Sequence, residues 1–164
     1  LINAAGINTR QPADKMTDHY WDLTQNLNVA APFFLAKALV PGMRSKGWGR
    51  IINFASLQSK RAFRNGISYG TSKGAVEQMT RAMAEAWSPV GITANSIAPG
   101  FFRTELTESV FSDPELSARN AAQTCIGRNG EIHDMEGPMI FFCSNASNYI
   151  TGQTLFVDGG YTAK

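Results

Sequence analysis

Tyr69 and Lys73 form the residue pair of this sequence with the clearest capacity for proton chemistry. They stand four residues apart in the segment YGTSK, at the predicted start of a helix, so their side chains lie on one helix face. A tyrosine with its ordinary pKa of about 10 is a poor base at neutral pH. An ammonium at about 4 Å favours the phenolate by about 4 kcal/mol, or roughly 3 pKa units before burial opposes it. The pair therefore predicts a general acid/base whose phenol pKa is lowered by the lysine.

A third side chain, the hydroxyl of Ser56, ends a predicted strand 13 residues before Tyr69. A hydroxyl at this point can face the same space as the phenol and bond a substrate oxygen or the phenol itself. A serine that makes only a local turn bond is the alternative.

Asn28 lies inside a predicted helix, where asparagine is disfavoured, and Pro32 follows four residues later. Because proline has no N–H, the carbonyl of Asn28 loses its helical donor and the helix should kink. The freed carbonyl and the amide side chain can then hold an ordered water that connects Lys73 to solvent as a proton relay. Alternatively, Pro32 only marks a helix break and Asn28 caps its second half.

The elements that must position these residues alternate between short apolar runs and longer helical segments, a pattern typical of an α/β fold. Strands separated by helices imply right-handed crossovers and a parallel sheet. Asn3, Ser56 and Pro99-Gly100 then follow the carboxyl ends of strands, the edge where open α/β sheets bind ligands. We predict a strand end at Leu1-Ile2, strands over 51–55, 92–98 and 153–157, and helices over 18–43 with a break, over 69–87, after Asp113-Pro114 and near 133–144.

Taken in order, these motifs resemble the classical short-chain dehydrogenase/reductase family over nearly the whole chain. The resemblance implies a Rossmann-like, doubly wound parallel sheet. It also implies hydride transfer between NAD or NADP and an alcohol or carbonyl substrate. The matching motifs are Asn3-Ala4-Ala5-Gly6 for the family's Asn-Asn-Ala-Gly, Asn28-Val29, Ser56 before Tyr69 and Lys73, Asn95–Gly100 with Thr104, and Thr151–Gln153 with Val157–Gly160.

A role for each motif residue is implied by the same resemblance. Tyr69 gives or takes the hydroxyl proton, while Lys73 lowers the pKa of the phenol and bonds the nicotinamide ribose. Ser56 orients the substrate oxygen, and Asn28 holds the relay water. Phe102, through its backbone, and Thr104 position the carboxamide. The implied catalytic residues are Asn28, Ser56, Tyr69 and Lys73, and the implied cofactor-binding residues are Asn3, Ala5, Gly6, Tyr69, Lys73, Pro99, Phe102 and Thr104.

The family's glycine-rich loop GxxxGxG, which cradles the cofactor phosphates, is not found among the 15 glycines of this sequence. The residue that selects NAD or NADP is also absent. The match begins at the family's fourth strand, so we expect residues 1–164 to be the catalytic and C-terminal portion of one Rossmann-fold domain with about four strands. Because its first strand then lacks a neighbour, we expect the isolated chain to be poorly soluble or molten and to bind the dinucleotide weakly.

Clues to the substrate come only from the segments that flank the catalytic residues. The loop 58–64 and the segment 101–125 are expected to frame the pocket, with Ser56, Gln58 and Arg64 as candidate substrate contacts. Arg61 or Arg64 can meet a carboxylate, which favours a sugar acid, polyol or keto acid over a sterol. The alternative is that these arginines belong to a solvated loop and bind no substrate.

Composition and charge exclude several other classes of function. With 43% hydrophobic and 17% charged residues, the sequence is that of a soluble globular chain, and a net charge of +2 argues against a nucleic-acid surface. No apolar run approaches the ~18–20 residues of a membrane span. The two histidines and two cysteines lack the spacing of a metal site. We expect both cysteines as buried free thiols, in keeping with a cytoplasmic protein.

Two other interpretations stay open. The segment GISYG matches the GxSxG nucleophile elbow of serine hydrolases around Ser68, and Asp113 and His133 follow in the required order, although no strand runs into the first glycine. The chain could instead be a non-catalytic, truncated family member that acts as an oligomerisation piece. The resemblance implies that the long helix after Tyr69 and the last strand make homodimer or homotetramer contacts.

Overall fold

The sheet is formed by four strands in the computed structural model, which describes residues 1–164. Their spatial order follows the chain, and every neighbouring pair is parallel, as predicted. The predicted strand limits differ from the observed ones by at most two residues. The strands are β1 (Ile2–Asn3), β2 (Gly49–Phe54), β3 (Ile92–Pro99) and β4 (Thr154–Val157).

Six α-helices lie between these strands. The predicted helix at 69–87 begins two residues earlier, at Ile67. The last helix begins at Glu136, after a 3-10 turn, so Pro138 falls in its first turn, where a missing N–H costs no helical bond. The helices are α1 (Asp18–Gln25), α2 (Ala31–Ser45), α3 (Ile67–Trp87), α4 (Glu108–Phe111), α5 (Pro114–Gln123) and α6 (Glu136–Cys143).

The break expected near Pro32 is a π-helical segment, Asn26–Ala30, that joins α1 to α2. Its last hydrogen bond runs from the N–H of Ala31 to the carbonyl of Asn26, five residues earlier. The chain therefore accommodates the proline through a widened turn, a feature that is common at functional sites. Asn28 lies in the middle of this segment, so the alternative in which it caps the second half of the helix is wrong.

Helices cover both faces of the sheet, which confirms the doubly wound arrangement. On one face, Val76 of α3 packs with Ala55 and Ala98, at the carboxyl ends of β2 and β3. On the other face, Phe142 of α6 packs with two buried sheet residues. The buried residues of the first face that bring α2 and α3 onto the sheet are Ala36, Val40, Ile51, Met83, Ala84, Ile92 and Ala94. This packing holds the start of α3 beside the ends of the strands.

The two cysteines are free thiols, but both are exposed, so their expected burial is wrong. Cys143 is the last residue of α6, and Cys125 follows α5 in a loop, and neither position belongs to the packed faces of the sheet. No helix combines the length and the apolar character that crossing a membrane requires. No group of three or more His, Cys, Asp or Glu side chains is placed to hold a metal ion.

Candidate active site

A cleft of about 1270 Å³ opens at the carboxyl ends of β2 and β3. Residues from the loop after β1, the loop after β2, the start of α3 and the segment after β3 line it. The structure thus gathers distant parts of the sequence at the sheet edge where a ligand was predicted. The predicted site residues on its walls are Gly6, Ser56, Gln58, Arg64, Tyr69, Lys73, Pro99, Phe102 and Thr104.

Ser56 lies just beyond β2 in extended backbone, as the N-cap of the 3-10 turn Leu57–Ser59. Its hydroxyl oxygen accepts a hydrogen bond from the N–H of Gln58 at 3.2 Å. Because this amide uses one lone pair of the oxygen, the O–H of Ser56 is available to the cleft. The Ser56 side chain lines the same cleft as Tyr69, and hydrogen bonding by Ser56 lowers the pKa of the Tyr69 phenol.

Tyr69 lies in the first turn of α3 and is buried, with 8% of its surface exposed. Burial raises the pKa of its phenol above 10, and the hydrogen bond with Ser56 and the charge of Arg10 oppose this rise. The predicted lowering of this pKa by Lys73 is therefore wrong for this structure. The ammonium nitrogen lies 5.5 Å from the centre of the Tyr69 ring and donates instead to the carbonyl of Phe54 at 2.6 Å.

Lys73 is itself a buried amine on the same helix. Burial lowers its pKa from 10.5 to about 8, because the charged form loses its hydration. The amine therefore changes its protonation state within the range in which many enzymes work. Its hydrogen bond to Phe54 fixes the nitrogen at the end of β2, on the wall of the cleft.

Asn28 lies behind the cleft rather than on its wall, and three hydrogen bonds occupy its amide. The oxygen accepts from the N–H of Ile7, and the nitrogen donates to the carbonyl of Ile7 and to the hydroxyl of Ser72, each at 2.9 Å. The Ser72 hydroxyl in turn donates to the carbonyl of Tyr69 at 2.7 Å. Asn28 thus connects the loop after β1 to α3. With its amide so occupied, its main-chain carbonyl is the group left for the predicted water.

Gly6 lies where the loop after β1 passes over Asn28 and Lys73. A Cβ atom at this position would be 3.3 Å from the amide oxygen of Asn28 and 3.5 Å from the ammonium nitrogen of Lys73. A residue without a side chain therefore keeps the backbone close to both polar groups.

Two predicted cofactor residues do not line the cleft. Asn3 is buried, and its amide donates to the side chain of Asn53 at 2.8 Å, so it connects β1 to β2. Ala5 is exposed and lies outside the cleft. The motif that contains them thus contributes Ala4 and Gly6 to the wall.

Three arginines line the cleft, and only one of them, Arg64, was predicted from the sequence. The others are Arg10, in the loop after β1, and Arg119, in α5. Arg10 has a positive φ of 46° and donates to the hydroxyl of Ser109 at 3.0 Å. Because single arginines in polar segments carry no pattern, no sequence signal marked them. Glu105 is the carboxylate among the lining residues, so the wall is predominantly positive.

Three aromatic rings from separate segments form one part of the wall. Phe63, Phe101 and Tyr161 have ring centres 5.6 to 6.4 Å apart. They belong to the loop before α3, the segment after β3 and the C-terminal turn. Tyr161 was not identified from the sequence, since it lies far along the chain from the other two.

The residues of the hydrolase alternative are not brought together in this cleft. Ser68 is the second residue of α3 and is 2% exposed, and its hydroxyl accepts from the side chain of Gln25. Asp113 caps α5 by accepting from two backbone N–H groups. His133 is exposed and faces Glu131 and Asp134. This arrangement gives Ser68 neither a strained elbow nor a histidine base.

Comparison with protein families gives a match over residues 1–162 to a model described as enoyl-(acyl carrier protein) reductase. The gluconate 5-dehydrogenase of Gluconobacter oxydans is 40% identical over 163 residues, which are 99% of this chain and 63% of that protein. The 2-dehydro-3-deoxy-D-gluconate 5-dehydrogenase of Escherichia coli is 38% identical over 168 residues, covering 100% of this chain and 65% of that protein. The chain therefore spans somewhat less than two thirds of the length of these relatives.

Among solved structures, a gluconate 5-dehydrogenase from Burkholderia cenocepacia in complex with NADP and tartrate superposes with a TM-score of 0.97. It is 39% identical, and the match covers 100% of this chain and 64% of that one. The parallel sheet and its flanking helices thus belong to a known Rossmann-like architecture.

Proposed function

The chain belongs to the short-chain dehydrogenase/reductase family, and on this premise we propose that it takes part in hydride transfer between NAD or NADP and an alcohol or carbonyl substrate. The main support is the meeting of Ser56, Tyr69 and Lys73 on one cleft wall. The nicotinamide, when bound, accepts or supplies the hydride. Within the cleft, Gly6, Pro99, Phe102 and Thr104 are the residues proposed to hold it, since the bare backbone at Gly6 leaves the space beside Lys73 open.

Proton transfer at the substrate oxygen is the proposed task of Tyr69. In the reducing direction, Ser56 donates a hydrogen bond to the carbonyl oxygen, and the Tyr69 phenol gives that oxygen its proton. In the oxidising direction, the same oxygen returns its proton to the phenolate. A phenol with a raised pKa is protonated at neutral pH, so this structure favours its role as the acid of the reducing direction.

Lys73, on the cleft wall, and Asn28, outside it, are proposed to assist this proton transfer. The Lys73 amine, with its pKa of about 8, is placed to bond the nicotinamide ribose and to pass a proton onward. The carbonyl of Asn28 is proposed to hold the water that connects this amine to solvent. Its side chain is already engaged with Ile7 and Ser72.

A sugar acid is the proposed substrate class. Arg10, Arg64 and Arg119 line the cleft against the single carboxylate of Glu105, which suits an anionic substrate. Gln58 and Ser56 line the cleft as hydrogen-bonding partners for its hydroxyl groups. Two relatives are named as gluconate and 2-dehydro-3-deoxy-D-gluconate dehydrogenases, and one related structure contains tartrate, which is consistent with this class.

We further propose that residues 1–164 are the catalytic and C-terminal portion of one domain and that the protein is a cytoplasmic homodimer or homotetramer. Free thiols are consistent with a reducing compartment. An apolar surface of α2 is available for contacts between subunits, and its exposed side chains are Phe33, Phe34, Leu35 and Leu39.

The proposal is tested with the purified chain, alone and fused behind the segment of the Gluconobacter relative that it does not match. Oxidation of gluconate and of a polyol without a carboxylate is followed through the absorbance of NADH and NADPH. Tyr69→Phe should abolish turnover and keep most of the cofactor affinity. Tyr149→Phe, which removes a hydroxyl from a fully exposed ring, should change neither. Full activity of Tyr69→Phe would contradict the mechanism, and an inactive but folded fusion would favour the non-catalytic alternative.

A further inference from the structure

A single hydroxyl group, that of Ser59 in the turn after Ser56, joins the backbone of Ser56 to α3. The hydroxyl oxygen of Ser59 accepts the N–H of Ser56 at 3.3 Å, and its O–H donates to the carbonyl of Lys73 at 3.0 Å. One side chain therefore connects the backbone of Ser56 to the backbone of the helix that carries Tyr69 and Lys73.

Ser56 depends on this contact because it lies beyond the sheet. The last backbone bond from this strand to β3 is made by the N–H of Ala55, which donates to the carbonyl of Ile97 at 2.8 Å. The N–H of Ser56 is the next donor along the chain, and the Ser59 hydroxyl is its hydrogen-bond acceptor. The sheet therefore does not fix the backbone of Ser56, and the hydrogen bond to the Ser59 hydroxyl does so instead.

A second contact holds the same turn to α3 one helical turn further on. The ammonium of Lys60 lies 2.8 Å from the carboxylate of Glu77. The Glu77 side chain is 3% exposed, whereas that of Lys60 is 53% exposed. Arg81 lies 3.9 Å from the same carboxylate, so Lys60 is the nearer of two cations. A buried carboxylate is costly to leave without its nearest cation, so this pair constrains the turn more than an exposed pair would.

We propose that Ser59 is a positioning residue, supported by the Lys60–Glu77 pair, which sets the hydroxyl of Ser56 against the hydroxyl of Tyr69. The catalytic meaning of this geometry rests on the proposed function, whereas the positioning is a property of the fold. Loss of the Ser59 hydroxyl should release the Ser56 backbone and move the Ser56 hydroxyl relative to the phenol, while the other cleft residues stay in place.

The titration of Tyr69 reports on this geometry without any turnover. The hydrogen bond with Ser56 lowers the pKa of the buried phenol, so weakening it should raise that pKa. Arg10, from the loop after β1, and Lys73, from the same helix, are the charged groups next to the ring, and Ser59→Ala alters neither. The further charged residues on the cleft wall, also unaltered, are Arg64, Glu105 and Arg119.

The experiment is 19F NMR of the chain fused behind the unmatched segment of the Gluconobacter relative and labelled with 3-fluorotyrosine, whose ring fluorine makes the phenol more acidic and easier to titrate. The Tyr69 signal is the one that disappears in Tyr69→Phe. Ser59→Ala should raise its pKa by roughly half a unit to one unit, as expected for the loss of one hydrogen bond to the charged form. Ser59→Thr, which keeps the hydroxyl, should restore it.

Ser147→Ala is the matched control, because it removes a buried serine that also closes a 3-10 turn and donates to carbonyls, but does not line the cleft. It should leave the Tyr69 titration unchanged. An unchanged titration in Ser59→Ala, or an equal shift in Ser147→Ala, would overturn the proposal. If Ser59→Ala does not fold, Glu77→Gln gives the same test through the second contact, with a smaller rise expected.

Turnover then separates this inference from the proposed function. In an active protein, Ser59→Ala should lower kcat about 10-fold with KM changed less than about 2-fold, since the substrate contacts remain. A wild-type protein without turnover contradicts the proposed function, while its NMR titration still decides the role of Ser59.

Discussion

At the scale of single residues, Ser56, Tyr69 and Lys73 were identified from residue type and spacing, and all three line one cleft. Their protonation properties could not be predicted in the same way. The sequence placed an ammonium beside the phenol, but the folded chain directs that ammonium to the carbonyl of Phe54 and buries the phenol. The burial of a side chain depends on every element around it. A spacing of four residues therefore predicts which side chains are neighbours on a helix, but it does not predict their pKa values.

The pKa of Lys73 makes the stability of the protein depend on pH. Its value is about 8 in the folded chain and 10.5 for a free side chain. Between these values the unfolded chain holds a proton that the folded chain has released, so the free energy of unfolding rises with pH. The gain is about 3 kcal/mol across this window. Urea unfolding of the chain fused behind the unmatched segment of the Gluconobacter relative should show this rise between pH 7 and pH 11, and Lys73→Met should lack it.

The raised pKa of Tyr69 lowers the free energy of unfolding as the pH rises above ~10. The quantity to compare is therefore the difference in free energy of unfolding between wild type and Lys73→Met at each pH. Lys37→Met removes an exposed ammonium and is the control, which should follow the wild type. Parallel curves for wild type and Lys73→Met would contradict the buried, weakly basic amine.

Arg10 should contribute to the affinity for a carboxylate substrate. It lines the cleft, and its charge acts on Tyr69. Arg10→Ala should raise KM for gluconate about 10- to 100-fold, as expected for one charge-assisted hydrogen bond, and leave KM for a neutral polyol nearly unchanged. Steady-state kinetics with both substrates decides this. An equal effect on both would show that Arg10 supports the loop and does not meet a carboxylate.

At the scale of the elements, the order of strands and helices could be predicted because apolar runs and breaker residues mark them. The join between α1 and α2 was predicted only as a break. Pro32 lacks an N–H in any helix, but whether the helix kinks or widens depends on what the freed groups meet. Here Asn28 meets Ile7 from the loop after β1 and Ser72 from α3, two segments that lie far from it in sequence.

Asn28→Ala should therefore loosen the contact between the β1 loop and α3. It leaves the N–H and carbonyl of Ile7 without their partners, at a cost of roughly 3 kcal/mol. We expect a lower melting temperature together with a lower kcat, because Ser72, which bonds the carbonyl of Tyr69, then loses its connection to Asn28 and the loop after β1.

Asn95→Ala is the control for that variant. Asn95 is equally buried and connects two backbone groups, the carbonyl of Ile150 and the N–H of Gln153, away from the cleft. It should lower the melting temperature without a comparable loss of kcat per folded molecule. Equal losses of kcat in the two variants would mean that Asn28 acts only on stability.

At the scale of the whole molecule, the parallel sheet explains why the cleft is where it is. Parallel strands bring all their carboxyl ends to one edge, so Gly6, Ser56 and Pro99 meet although nearly a hundred residues separate the first from the last. Arg10 and Tyr161 reach the same edge from segments outside the α-helices and strands, and Arg119 reaches it from α5. Where these segments lie follows from tertiary packing, which periodicity does not describe.

The sheet also predicts how the chain behaves in solution. β1 has only two residues and one neighbour, β2, and Ile2 on it is 48% exposed. A parallel strand that is open along one side presents unpaired backbone groups and apolar surface. We therefore expect the 164-residue chain alone to aggregate or melt without cooperativity and to bind NADPH weakly. Fusion behind the unmatched segment of the Gluconobacter relative should cover this edge and give a cooperative transition.

Near-UV circular dichroism, light scattering and NADPH titration measure these properties for the chain and the fusion side by side. A fusion behind an unrelated soluble domain of equal length is the control, since it raises solubility without supplying a strand for β1. If that control restores a cooperative melt as well as the family segment does, the open edge is not the cause. A sharp melt and micromolar NADPH binding by the chain alone would show that β1 is stable with one neighbour, and that the cleft walls of this chain suffice to hold the cofactor.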